Sequence, residues 1–103
     1  MSMLLVGLHA TDRESTDGAQ VAALAVALLP ERFPDVVGHA TVMTTRPRLV
    51  EVAVVLHQGV DRPRTALRSC VDHLIADLAA EHRVEGCWAC HSPRLPGDPQ
   101  PVW

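Results

Sequence analysis

A chain of 103 residues, 48% of them hydrophobic, has enough apolar material for one core, so a single domain is expected. Its formal charge of -3, with acids and bases interspersed, excludes the basic footprint of a nucleic-acid binder. No stretch approaches the ~18 apolar residues of a membrane span.

In chain order, the apolar run at residues 3–8, ending at Gly7 and a polar turn, predicts a buried first strand. Ser15 or Thr16 is placed to cap a helix reaching about Leu29. Val21, Leu24, Ala25 and Leu28 keep helical spacing, and Pro30 and Pro34 are its expected stop. Residues 35–43 read as a second strand. Residues 49–56 carry two patterns at once. Val50, Val52, Val54 and Val55 favour a strand paired with the second, whereas Pro47 followed by Leu49, Val52, Ala53 and Leu56 also fits a helix start and stripe. Propensity leans to the strand, and Gly59 ends the element in both readings. Residues 63–67 are a weak candidate strand. Residues 69–82 form a clear helix on Val71, Leu74, Ile75 and Leu78, and residues 84–89 are a candidate last strand. Residues 1–91 are expected to form the domain. Residues 92–103, with four prolines and a glycine, form an extended tail.

Six histidines are many for this length. Two have distinctive contexts: His9 at the end of the first strand, and His73 near the start of a helix. Imidazoles converging at the rim of a sheet would make a site for an exchangeable divalent metal. Three cysteines, an odd count, argue against a disulfide framework. By spacing, Cys87-Trp88-Ala89-Cys90-His91 reads as covalent haem attachment, as Zn²⁺ or iron–sulfur ligation completed by His82 or Cys70, or as a redox dithiol. Taken singly, His9 is more often a loop residue, His73 a solvated one, and the cysteines two half-buried thiols beside Trp88. The N-terminus lacks a basic region before its short apolar run, so the cytoplasm is the expected compartment.

Several motifs occur in the order and spacing of one family. Leu4-Leu5-Val6 leads into His9-Ala10-Thr11-Asp12-Arg13, and later come Pro47-Arg48-Leu49-Val50-Glu51 and Gln58-Gly59-Val60-Asp61-Arg62. Asp72-His73-Leu74-Ile75-Ala76-Asp77-Leu78 and Leu95-Pro96-Gly97-Asp98-Pro99 complete the series. In this respect the chain resembles the small class II tetrapyrrole chelatases, the sirohydrochlorin cobalt- and ferrochelatases, as a divergent or truncated member. Ala10 stands where that family has glycine, and Pro63-Arg64-Thr65-Ala66-Leu67-Arg68 replaces its apolar third strand.

The resemblance implies an α/β fold, a small three-layer domain with a mostly parallel sheet; the alternative from the residues is an α+β chain of β-α-β-β-α type. The implied activity is that of a lyase inserting Co²⁺ or Fe²⁺ into a sirohydrochlorin-type tetrapyrrole in cobalamin or sirohaem biosynthesis. His9 and His73 would be ligands and proton acceptors, and Asp77 would orient His73 from four residues on. Arg13, Arg46 and Arg62 would anchor the substrate carboxylates, with the cleft formed in a homodimer. The rival function is a non-catalytic metal- or haem-binding module on Cys87, Cys90 and His91. A structural or interaction protein is the third reading. A hairpin through residues 44–48 would oppose the chelatase architecture, and a helical crossover there would support it.

Overall fold

Alternation in the first strand sets the architecture. The computed structural model describes residues 2–97, in which β1 (Ser2–Ala10), α1 (Gly18–Arg32), β2 (Val37–Arg46), β3 (Leu49–Leu56), α2 (Pro63–Ala80) and β4 (Trp88–Cys90) follow in order. Leu4, Val6 and Leu8 of β1 join Val50, Val52, Val54 and Leu56 of β3 in one buried cluster. The intervening residues point to the other face, as the period of two requires. Val21, Ala22, Ala25, Leu28 and Leu29 of α1 and Leu67, Cys70, Val71, Leu74 and Leu78 of α2 complete the same cluster. Both helices therefore lie on one side of the sheet, and among the described residues the other side carries no helix.

The sheet order is β2-β3-β1-β4, and every pairing is antiparallel. β1 and β2, joined through α1, run the same way but are separated by β3. This is the split β-α-β arrangement of ferredoxin-like folds. It corrects the expectation of a mostly parallel, three-layer domain. Only Pro47 and Arg48 separate β2 from β3, far too few residues for the crossover a parallel neighbour needs. The valine pattern over Leu49–Leu56 is that of a strand with one fully buried face, so the strand reading of this segment holds. The β-α-β-β-α alternative describes the first five elements, and β4 extends it.

Three boundaries also differ from the sequence expectation. α1 is capped by Asp17, whose side chain accepts from the Gln20 amide, and it continues through Pro30 to Arg32. Pro30 lies within the last turn, where few helical bonds remain to be lost. The weak strand expected at residues 63–67 is instead the beginning of α2, with Pro63 in its first turn. Leu67 joins the apolar stripe, while Arg64, Thr65 and Arg68 stay on the exposed side. β4 is shorter than expected, and residues 98–103 of the tail, with Asp98 and Pro99 of the last family motif, lie outside the described residues. No helix among the described residues is long and apolar enough to cross a membrane.

The start of α1 is locked against the β2–β3 turn. The Gly18 amide donates to the Pro47 carbonyl at 2.9 Å, and a Cβ on Gly18 would fall 1.9 Å from the Arg46 carbonyl oxygen. The obstacle is backbone, so it cannot swing aside. Gly18→Ala is expected to destabilise the protein by about 1–3 kcal/mol, outweighing any gain in helix propensity at this first position. Urea unfolding of the variant checks this, and an unchanged midpoint would contradict the close approach.

Candidate site on the open sheet face

His9 lies on the helix-free face of β1, and its partner in the β1–β4 ladder is Ala89. His91, two residues further on, donates its amide to the Gly7 carbonyl at 2.8 Å. The same alternation that buries Trp88 and Cys90 turns Ala89 and His91 to the face of His9. The two imidazoles meet as a diagonal cross-strand pair, with ring centroids 4.4 Å apart and planes tilted by 35°. Both are only partly exposed. Burial lowers the pKa of His91 below its ordinary value, and the neighbouring His9 and Arg68 act in the same direction. Its imidazole is therefore held in the neutral form that can ligate a metal.

An ion pair frames this site. Arg94 Nη2 contacts Glu51 Oε2 at 2.5 Å, with 13% of each side chain exposed. Arg94 exchanges backbone hydrogen bonds with Leu5 on one side of β1, and Glu51 pairs with Gly7 on the other. The ion pair consequently spans the central strand beside the histidines.

The structure does not bring His9 and His73 together. His73 is on α2, on the opposite side of the sheet, and its Nδ1 lies 2.7 Å from the Ser69 carbonyl oxygen. Asp77 does not serve as its orienting partner, because its Oδ2 accepts from Arg32 at 3.4 Å. The three candidate anchors are also dispersed. Arg13 is in the β1–α1 loop and Arg46 at the end of β2, both at one end of the sheet. Arg62 is at the other end, adopting φ 50° before α2.

The cysteine motif is pulled open. The Cys87 carbonyl accepts from the Thr11 amide, residues 88–90 pair with β1, and His91 continues the ladder. An extended chain sets residues three apart at about 10 Å between Cα atoms and on opposite faces, beyond disulfide reach. Accordingly Cys87 is exposed and Cys90 buried. Among the described residues no group of three or more His, Cys, Asp or Glu side chains could hold a metal ion. The closed Cys-x-x-Cys sites expected for Zn²⁺, iron–sulfur or haem attachment thus lack their geometry in this strand.

The loop motif after His9 has a structural role. Asp12 Oδ1 accepts from the Ser15 amide at 2.9 Å and from the Ser15 hydroxyl. Its Oδ2 accepts from the Cys87 amide at 3.0 Å, and Arg48 donates to its carbonyl. The Ser15 hydroxyl, foremost, keeps the Asp12 carboxyl below its ordinary pKa, with the amides adding to the effect. Gly86, at φ 78°, presses on this knot: a Cβ there would fall 1.7 Å from Ser15 Oγ.

What sequence reasoning missed is the partnership of His9 with His91, which were assigned to rival motifs. The alternation Cys87, Ala89, His91 was a usable signal, but only once β4 was known to pair with β1. Comparisons with protein-family models, with curated proteins and with solved structures give no significant match.

Cys90 supplies a pH test of this geometry. Its thiol donates to Asp72 Oδ1 at 3.1 Å. Burial first, then that carboxylate, push its pKa from 9.0 to about 12. A raised pKa means that the unfolded thiol ionises first. The stabilisation is complete below 9.0 and lost as pH rises through about 12. Thermal unfolding is expected to show a steeper alkaline decline in the wild type than in Cys90→Ala; parallel curves would contradict it.

Proposed function

We propose that this chain is a small transition-metal-binding module whose protein donors are His9 and His91. The observation that carries the reading is the pair itself: two imidazoles, 4.4 Å apart on the helix-free face, one of them biased to the neutral state. Imidazole nitrogens suit Co²⁺, Ni²⁺, Cu²⁺ and Zn²⁺. Two protein donors leave coordination positions open, as an exchangeable metal requires and a structural one does not.

This reading retains the metal handling and His9 of the chelatase expectation, and His91 of the rival motif. Insertion into a tetrapyrrole called for His9 and His73 on one metal, and the sheet stands between them. The hairpin at Pro47 and Arg48 likewise removes the architectural support for chelatase membership. Cys90 is a poor donor near neutrality, because its thiol stays protonated. In a homodimer formed through the open faces, a second copy would offer two further imidazoles. A dimer of that kind gives one metal per two chains, and an independent site gives one per chain.

Co²⁺ titration read by d–d absorption tests the proposal. Signal is expected from the wild type and from His73→Ala, and is expected to vanish in His9→Ala/His91→Ala. Loss in His73→Ala alone would restore the chelatase pair and overturn this reading. Thiolate charge-transfer bands surviving in the double variant would move the metal to the cysteines. Because the His91 pKa is lowered by burial, proton competition at this donor is expected to set in at a lower pH than at an ordinary histidine.

A further inference from the structure

β4 is too short to hold His91 by itself. Only Trp88–Cys90 pair with β1 as a strand, and the end of so brief a ladder opens easily. The chain then leaves the ladder and returns to it at Arg94, which donates its amide to the Leu5 carbonyl at 2.9 Å and accepts from the Leu5 amide at 2.7 Å. Between the Leu8–Cys90 and Leu5–Arg94 pairs, β1 has two residues and the opposing chain three. The extra residue makes a bulge, and Pro93, with no N–H to offer, falls within it. His91 thus lies between a short ladder and a single bridge. Leu95, Pro96 and Gly97 beyond that bridge are exposed.

The Arg94 side chain fastens the bridge. Glu51 is opposite Gly7 on the β3 side, and His91 is opposite it on the β4 side, one residue past the Leu8–Cys90 pair. The two chains flanking β1 stand about 9–10 Å apart. A glutamate and an arginine close that span only by meeting over the central strand, and Gly7 puts no side chain in their way. The contact of Arg94 Nη2 with Glu51 Oε2, at 2.5 Å, leaves 13% of either side chain exposed. An ion pair so shielded is little weakened by salt. Its desolvation makes it a poor source of stability, and fixing register is the best-attested use of such pairs.

We propose that Glu51 and Arg94 are positioning residues of the histidine site: their ion pair clasps the segment after β4 to the sheet and keeps the His91 imidazole beside that of His9. For its functional consequence this rests on the metal reading above, while the clasp itself belongs to the metal-free protein. Removing either charge strips the other of this partner inside a shielded site, which favours its movement toward water and loosens the bridge at Arg94. His91 then leaves the neighbourhood of His9 more often, and the cost of ordering it again lowers metal affinity. Linkage makes the effect reciprocal: a metal held by both imidazoles tightens the Arg94 bridge.

Amide hydrogen exchange of the metal-free protein and Co²⁺ titration read by d–d absorption test the two halves separately. In Glu51→Gln and in Arg94→Gln the amides of His91 and Arg94 are expected to exchange faster, while the β2–β3 ladder keeps its wild-type protection as the check on folding. Both variants are expected to lose about tenfold or more in Co²⁺ affinity, and Glu51→Gln/Arg94→Gln to bind no worse than the weaker single variant. Arg94→Lys, which keeps the charge and a single-point contact, is expected to retain most of the affinity and the wild-type absorption. Bound Co²⁺ is expected to slow exchange at Arg94 in the wild type. Wild-type Co²⁺ affinity in both Gln variants, or unchanged exchange at His91 and Arg94, would overturn the clasp. Arg94→Lys binding no better than Arg94→Gln would overturn the role of the charge. If the wild type itself gives no Co²⁺ signal, the metal reading fails, and the exchange rates alone decide the clasp.

Discussion

The antiparallel pairing of β1 on both its edges is the constraint on which the rest of this structure depends. β3 follows it from Ser2↔Leu56 to His9↔Leu49, and β4 takes the other edge from Leu8 to Ala10. With a side-chain period of two, that register decides every residue's face at once. Leu4, Val6 and Leu8 must meet the helices, so His9 must face away from them. A slip of one residue between β1 and β3 would turn one strand over, either burying His9 in place of Leu8 or exposing the valines of β3, the latter a loss of several fully buried side chains at about 1.5–3 kcal/mol each.

The loops are arranged to hold that register. Asp12 ties the turn after β1 to Ser15 and to the amide preceding β4, and Arg48 links the same loop to the β2–β3 turn. Gly18 and Gly86 are the places where this packing leaves no room for a Cβ. Three connections thereby converge at one end of the sheet, the end at which His9 and His91 meet. The motif around His9 serves the site by fixing its surroundings more than by contributing donors.

Burial acts differently on two titratable groups of the β4 segment. On the open face, partial burial, with His9 and Arg68 nearby, favours the neutral form of the His91 imidazole. Cys90 lies in the core, kept as a thiol by burial and Asp72, and its ionisation is coupled to unfolding more than to ligand chemistry.

The elements themselves were largely legible in the chain. The buried first strand, the α1 stripe on Val21, Ala25 and Leu28, the α2 stripe on Val71, Leu74 and Leu78, and the strand character of Leu49–Leu56 are local patterns of period 3.6 or 2. The start of α2 was less legible, since Arg64, Thr65 and Arg68 hide an apolar stripe that begins with Leu67. Topology and site were decided only in three dimensions. Whether Pro47 opens a helix or a two-residue turn depends on whether β2 finds β3 as its neighbour, a non-local pairing that propensity does not encode. The candidate donors depend on it in turn: sequence context linked His9 to His73, and Cys87 to Cys90. The antiparallel ladder placed His73 behind the sheet, drew Cys87 and Cys90 to opposite faces of an extended strand, and set His91 beside His9, because cross-strand register, not distance along the chain, determines which side chains meet.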